Sequence, residues 1–412
     1  MGIQHIFKYT TFLFAGLFIL SGCPTDPPGE GKGEYVVLGY NDLGMHCMNQ
    51  DFGDMMILPP FNTLHAQVIR RNGHEPDIIA SGITVEYTIP GNTTSVDKTD
   101  FWDYDVALFG VDLPDNVGLT GNGLSGTMTY TGNGDWNVTG IPVTPIMDDQ
   151  TLNPYPLAEI TVKKDGVQVA QTHAVVPVSW EISCNLCHTS PDKSVNDDIL
   201  SKHDEMHDTD LMNSKPVACM NCHGQEPLGT HGDPSLSHAM HGSHATRMGP
   251  VAALQETCYA CHPGQVTQCQ RDIHYSEGIG CTDCHGDMAA VANPARRPWL
   301  DEPRCDDCHD REEFEFEPQG VLYRNAKGHQ GIHCAACHGS PHAITPTVTA
   351  ADNVQAVEWQ GHVGVIDTCT VCHESVPGGF EHHSDDGEIE DEDDEDDDKK
   401  SLLERILTAS VN

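Results

Sequence analysis

The sequence predicts a multidomain chain with three parts. An all-β, sandwich-like domain covers residues 35–180. A mostly irregular and α-helical domain, packed around a prosthetic group, covers 181–383, and an acidic disordered tail covers 384–412. Three observations predict this. Short apolar or alternating runs, separated by turn residues, fill the first part. Seven copies of one pentapeptide, Cys-x-x-Cys-His, lie between Cys184 and His373. Twelve of the fourteen residues from Asp385 to Asp398 are acidic, a run that cannot form a core. The net charge of −41, from 62 acidic and 21 basic side chains, excludes non-specific nucleic-acid binding and argues against docking on anionic lipid by charge.

Residues 1–23 read as a targeting segment. Lys8 gives a basic start, and the apolar run Phe12–Leu20 is too short for a membrane span. The segment ends in Leu20-Ser21-Gly22-Cys23, which resembles a bacterial lipobox; the resemblance implies lipidation of Cys23. The following Pro24 points by the same resemblance to the outer membrane. An exported protein anchored by lipid alone, without a spanning helix, is therefore expected. Residues 24–34, rich in Pro and Gly, form a tether.

Within 35–180 the strand candidates are Tyr35–Gly39, Leu64–Ile69, Ile83–Ile89, Val106–Phe109, Gly126–Tyr130, Ala158–Lys163 and Val167–Ala170. Lys164-Asp165-Gly166 is a hairpin signal. Turn residues recur at Pro90-Gly91-Asn92, Gly121-Asn122-Gly123 and Gly132-Asn133-Gly134. The stretch Met45-His46-Cys47-Met48 gathers three sulfurs and an imidazole, a set that suits copper or an axial metal position. Strand alternation sends neighbouring side chains to opposite faces, however, which is poor for one site. His46 capping a distant metal, and a structural loop with Cys47 buried or paired with Cys269, both stand. His65, His74 and His173 read as ordinary surface or core residues.

The pentapeptides are Cys184-Asn-Leu-Cys187-His188, Cys219-Met-Asn-Cys222-His223, Cys258-Tyr-Ala-Cys261-His262, Cys281-Thr-Asp-Cys284-His285, Cys305-Asp-Asp-Cys308-His309, Cys334-Ala-Ala-Cys337-His338 and Cys369-Thr-Val-Cys372-His373. This is the attachment signature of c-type haem. Two thiols spaced by two residues add to the two vinyl groups of one porphyrin, and the next residue, His, binds iron from the proximal side. Zinc ribbons pair two Cys-x-x-Cys knuckles on one metal and do not need a His after every pair. The expected cofactors are seven haem c groups. With few aromatics and a modest apolar fraction, this half needs buried porphyrin to form its interior.

Successive motifs start 35, 39, 23, 24, 29 and 35 residues apart, an irregularity that argues against a solenoid of identical units. The clearest helix is Asp197–Met206, which puts His203 and His207 on one face. Seven bis-His irons need seven more imidazoles, and thirteen follow from His203 onward outside the motifs. Those expected on the distal side are His203, His241, His244, His274, His329, His342 and His362. His207, His238, His333, His382 and His46 are the substitutes. Bis-His iron has no open position, so no catalytic residue is expected.

The seven motifs, the lipobox, Cys258-Tyr-Ala-Cys261-His262-Pro-Gly-Gln-Val-Thr-Gln-Cys269 and Cys281-Thr-Asp-Cys284-His285-Gly are similar to segments of multihaem c-type cytochromes of metal-reducing bacteria. The resemblance covers about residues 181–383. Asn41-Asp-Leu-Gly-Met-His-Cys47 also resembles an N-terminal module of some of these proteins. The resemblance implies electron conduction across the cell envelope toward other redox proteins, periplasmic or outer-membrane cytochromes, and extracellular metal oxides. Two further readings stand beside it: a reductase of a small oxyanion or metal at one open haem, and a subunit of a polymeric cytochrome filament. The acidic tail reads as a solubilising segment or as a docking surface for a basic partner, cations or mineral, with a short amphipathic helix from Lys399 at its end.

Overall fold

The computed structural model describes residues 33–73, 75–251, 254–309 and 319–377. Cys23, His74, His382, His383 and the acidic tail lie outside the described residues. No helix among the described residues is long and apolar enough to cross a membrane.

In chain order the first part runs β1 (Tyr35–Tyr40), β2 (His46–Cys47), β3 (Met55–Met56), β4 (Thr63–Arg70), β5 (Asp77–Ile78), β6 (Thr84–Thr88), helix α1 (Phe101–Phe109), β7 (Ser125–Thr127), β8 (Thr129–Tyr130), β9 (Trp136–Thr139), β10 (Leu157–Lys164), β11 (Val167–Val175) and β12 (Val178–Ser179). Two antiparallel sheets dominate, one ordered β1-β4-β9-β8 with β5 on β4, the other β11-β10-β6-β7. Val68, Ala66 and Val138 of the first sheet and Val85, Ile160 and Val162 of the second share one buried cluster. The β10–β11 hairpin turns at Asp165 and Gly166, both with positive φ, as a tight two-residue turn requires.

Two strand expectations change. Val106–Phe109 is the last turn of α1, not a strand. Phe101, Asp105 and Leu108 are its buried residues, a helical spacing, and Gly110 closes it in the left-handed region. A four-residue apolar run carries too little period to tell the two apart. Gly126–Tyr130 is split: β7 pairs with β6 and β8 with β9, so the chain crosses from one sheet to the other at buried Met128.

The second part is mostly irregular. Its regular pieces are α2 (Val195–His207), β13 (Val217–Ala218), α3 (Leu236–Ala245), α4 (Ile273–Ser276), α5 (Cys281–His285), α6 (Met288–Val291), β14 (Lys327–Gly328), β15 (Ile332–His333), α7 (Cys334–His338) and α8 (Val354–Gln360). The described residues from Glu34 onward belong to one compact unit. Its seam is specific: Trp359 Nε1 donates to Val37 O at 3.0 Å, His333 N to Gln67 Oε1 at 2.7 Å, and Arg71 Nε to Val371 O at 2.9 Å. Strand β13 also pairs in parallel with β3.

Candidate metal centres

Each pentapeptide folds as a single helical turn. Motifs four and six are α5 and α7, and the other five are 3-10 turns. In those five the histidine N–H donates to the carbonyl of the first cysteine four residues back. The distance is 2.8 Å for His188 and 2.9 Å for His223, His262, His309 and His373. Residues i, i+3 and i+4 share one side of such a turn, so both thiols and the imidazole face the same way. A planar group carrying a central metal is what this donor set fits.

Among the described residues, a second imidazole stands across from six of the motif histidines. Ring centroids are 6.4 Å apart for His188 and His244, 6.3 Å for His223 and His203, and 6.1 Å for His262 and His241. The same distance is 6.0 Å for His285 and His342, 6.2 Å for His309 and His274, and 6.0 Å for His373 and His329. Two imidazoles on opposite sides of one metal, each bound through nitrogen at about 2 Å, have centroids about 6 Å apart. Direct stacking or a hydrogen bond between rings gives no reason for one spacing to recur at six places.

The hydrogen bonds show which ring nitrogen is left. His188 Nδ1 donates to Asp198 Oδ2 at 3.1 Å, His223 Nδ1 to Pro234 O at 2.9 Å, and His274 Nδ1 to Asp272 Oδ2 at 3.3 Å. His241 and His244 donate from Nδ1 to carbonyls one helical turn back, Ser237 O at 2.9 Å and Met240 O at 2.7 Å. Thr209 Oγ1 gives its proton to Asp204, so it accepts from His203 Nδ1 at 2.9 Å. Each of these bonds fixes the proton on Nδ1 and leaves Nε2 as a lone pair, the form that binds a metal. Burial holds His262 and His285 down at about 4 and lowers His241 and His342, so these rings are neutral at pH 7. Asp272 raises His274.

The local sequence explains the placement. Ser194 caps α2 by accepting from Asp197 N, and Ser235 caps α3 by accepting from His238 N. These caps fix where the helices that carry His203 and His241 begin. The spacing of the motifs did not reveal Asp198, Asp272 or Glu256; carboxylates near a histidine in an acidic chain carry no distinct signal.

Other histidines have different neighbours. His46 Nε2 lies 2.7 Å from Pro59 O, and His238 Nε2 lies 2.7 Å from Arg296 O. His65 sits between Asp135 at 2.7 Å and Asp42 at 3.3 Å, and His173 bonds Glu358 at 2.6 Å. His333 is buried, its Nε2 3.3 Å from Asn133 O, and His207 lies against His203 at 4.8 Å. His362, expected on a distal side, lies half exposed elsewhere: Nδ1 is 3.1 Å from Val363 O and Nε2 is 3.4 Å from Thr368 Oγ1. The Met45–Met48 stretch divides as strand alternation demands. Met48 joins the β core, while Cys47 is a free thiol near Cys269, and burial, then Cys269 and Glu181, push it up.

One further donor set is present. Ligand atoms of Glu256, Cys258 and Cys281 lie within 4.8 Å of one another, a group able to hold a single metal ion. It joins the first cysteines of motifs three and four.

No family model, curated protein or solved structure matches this chain. The six facing pairs therefore carry the chemical reading by themselves.

Proposed function

We propose that the chain is an electron-transfer protein with seven covalently attached c-type haems. One observation carries this reading. Six motif histidines face a second histidine at 6.0–6.4 Å, with both thiols of each motif on the same side of a helical turn. Haem iron held between two imidazoles exchanges single electrons and has no position open to substrate. The proximal ligands are His188, His223, His262, His285, His309, His338 and His373. The six facing distal ligands are His244, His203, His241, His342, His274 and His329. Asp198 and Asp272 hold the imidazoles of His188 and His274 in one tautomer. The two β sheets pack face to face as a sandwich on which the haem-bearing part is built.

The lipobox supports a protein anchored through Cys23 at the outer membrane. Its partners there would be other redox proteins or extracellular metal oxides. Haem stoichiometry by pyridine haemochrome, together with intact mass, tests the reading. Seven haems per chain is the expected result. Fewer than seven, or zinc bound at Glu256, Cys258 and Cys281 with free thiols elsewhere, overturns it.

A further inference from the structure

We infer that the seven centres are not connected in chain order. Numbering the motifs from Cys184 onward, the path runs 2–1–3–4–6–7, and motif 5 joins it as a spur at motif 4. This rests on the haem reading above and assigns which centre hands electrons to which.

Each link is made by residues of the chain. Helix α2 joins 2 to 1: Asp198 accepts from His188 of motif 1, and His203, five residues on, faces His223 of motif 2. Five helical residues span about 7.5 Å, so the two centres are held side by side. Helix α3 joins 1 to 3. His244 faces His188 and His241 faces His262, and residues three apart lie on one helix face. The backbones of these motifs also touch, with Ser183 N donating to Ala260 O at 3.2 Å. Motifs 3 and 4 meet where Cys258 and Cys281 lie beside Glu256, whose carboxylate accepts from Cys281 N at 3.2 Å.

From motif 4 the links divide. Toward motif 5, His274 of α4 faces His309, and Ile279 N, just before α5, donates to His274 O at 2.9 Å. Toward motif 6, His342 faces His285 and follows His338 by only four residues. That short loop is pinned at both ends. Thr345 N donates to His338 O at 2.8 Å, and Arg271 N donates to His342 O at 2.9 Å. Motifs 6 and 7 share an apolar cluster in which Ala335, Ala336 and Cys337 pack with Val371 and Cys372. Ile366 N also donates to Cys337 O at 3.2 Å.

Two of these links, 1–3 and 4–6, skip a motif in the chain. They leave motifs 2, 5 and 7 as the three ends, so electrons have three places to enter or leave. The junction lies at motif 4.

Crystals of the holoprotein measured at the iron edge test the order directly, because anomalous peaks locate each iron independently of the protein phases. The expected nearest neighbours are 2–1, 1–3, 3–4, 4–5, 4–6 and 6–7, with motif 4 alone having three. Neighbours 2–3 and 5–6 in place of 1–3 and 4–6, which is chain order, overturn the inference while leaving the haem reading intact. A crystal without seven iron peaks overturns the haem reading and the order with it.

Discussion

Strand β1 is buried on both faces, and each face meets a different interior. Tyr35 and Val37 turn toward the two sheets, among Val68, Val85, Ile160 and Val162. Val36, Leu38 and Tyr40 turn the other way, toward Ala335, Ala336, Ile366 and Val371. The first interior is built from large aliphatic and aromatic side chains in register. The second is smaller: the motif-bearing part brings Ala335, Ala336, Ile366 and Val371 to it, with Cys337 and Cys372 packed against them. Apolar area removed from water drives folding, and the second interior offers little of it from side chains alone. The β-rich part is thus organised by its own sequence. On the proposed reading, the motif-bearing part is organised around the haems that its seven motifs would attach.

The largest test of that contrast is to make the chain without covalent haem. Limited proteolysis of this apo chain is expected to cut throughout 181–377 and to spare 35–179. Equal protection of the two parts would erase the distinction.

The contrast can also be sharpened at a single buried ion pair. Arg271 is fully buried and bonded to both oxygens of Asp352, at 2.7 and 2.8 Å. It links the segment before motif 4 to the one before α8. Removing one partner leaves an uncompensated charge, so Asp352→Ala is expected to cost about 3–5 kcal/mol in denaturant unfolding of the holoprotein. A loss below about 1 kcal/mol would mean that the motif-bearing part does not depend on this tie.

In the β core, Ile160→Ala removes a completely buried side chain and is expected to cost about 2–5 kcal/mol. The same change should leave the haem spectrum unaltered. A shifted Soret band would show that the two interiors are coupled more tightly than β1 suggests.

The smallest effect is a pH dependence seated beside β1. Burial pushes His65 down, but its hydrogen bond to Asp135 and its pairing with the Asp42 carboxylate outweigh it and hold the ring up at about 9. A pKa raised above its unfolded value of about 6.5 stabilises fully below that value. The contribution is lost as pH rises from there through about 9. The same contacts lower Asp42 and Asp135, so their share is lost on acidification instead. Stability should therefore fall on the order of 2–3 kcal/mol between pH 6.5 and 9. His65→Gln should flatten that slope; an unchanged slope would place its origin elsewhere.

Much of this was legible in the sequence because the signals are local. The hairpin at Asp165-Gly166, the strands around Leu64 and Ala158, and the seven motifs each announce themselves within a few residues. The histidines that face a motif histidine stood out in the sequence through proximity to motifs. His329, His342 and His274 lie within a dozen residues of a motif, although each faces a histidine of a different motif from the one it adjoins. What sequence could not give is that partner choice, which depends on how α3 and the 339–342 loop cross between motifs. The helical ending at Val106–Phe109 and the position of His362 were hidden for the same reason: short segments take their geometry from tertiary neighbours.

The central claim is that six motif histidines and their six partners each bracket one iron. Low-temperature electron paramagnetic resonance of the oxidised holoprotein tests it most directly, because two imidazoles make ferric haem low-spin. The expected spectrum has at least six of the seven haems low-spin. High-spin iron in two or more haems per chain would contradict the account.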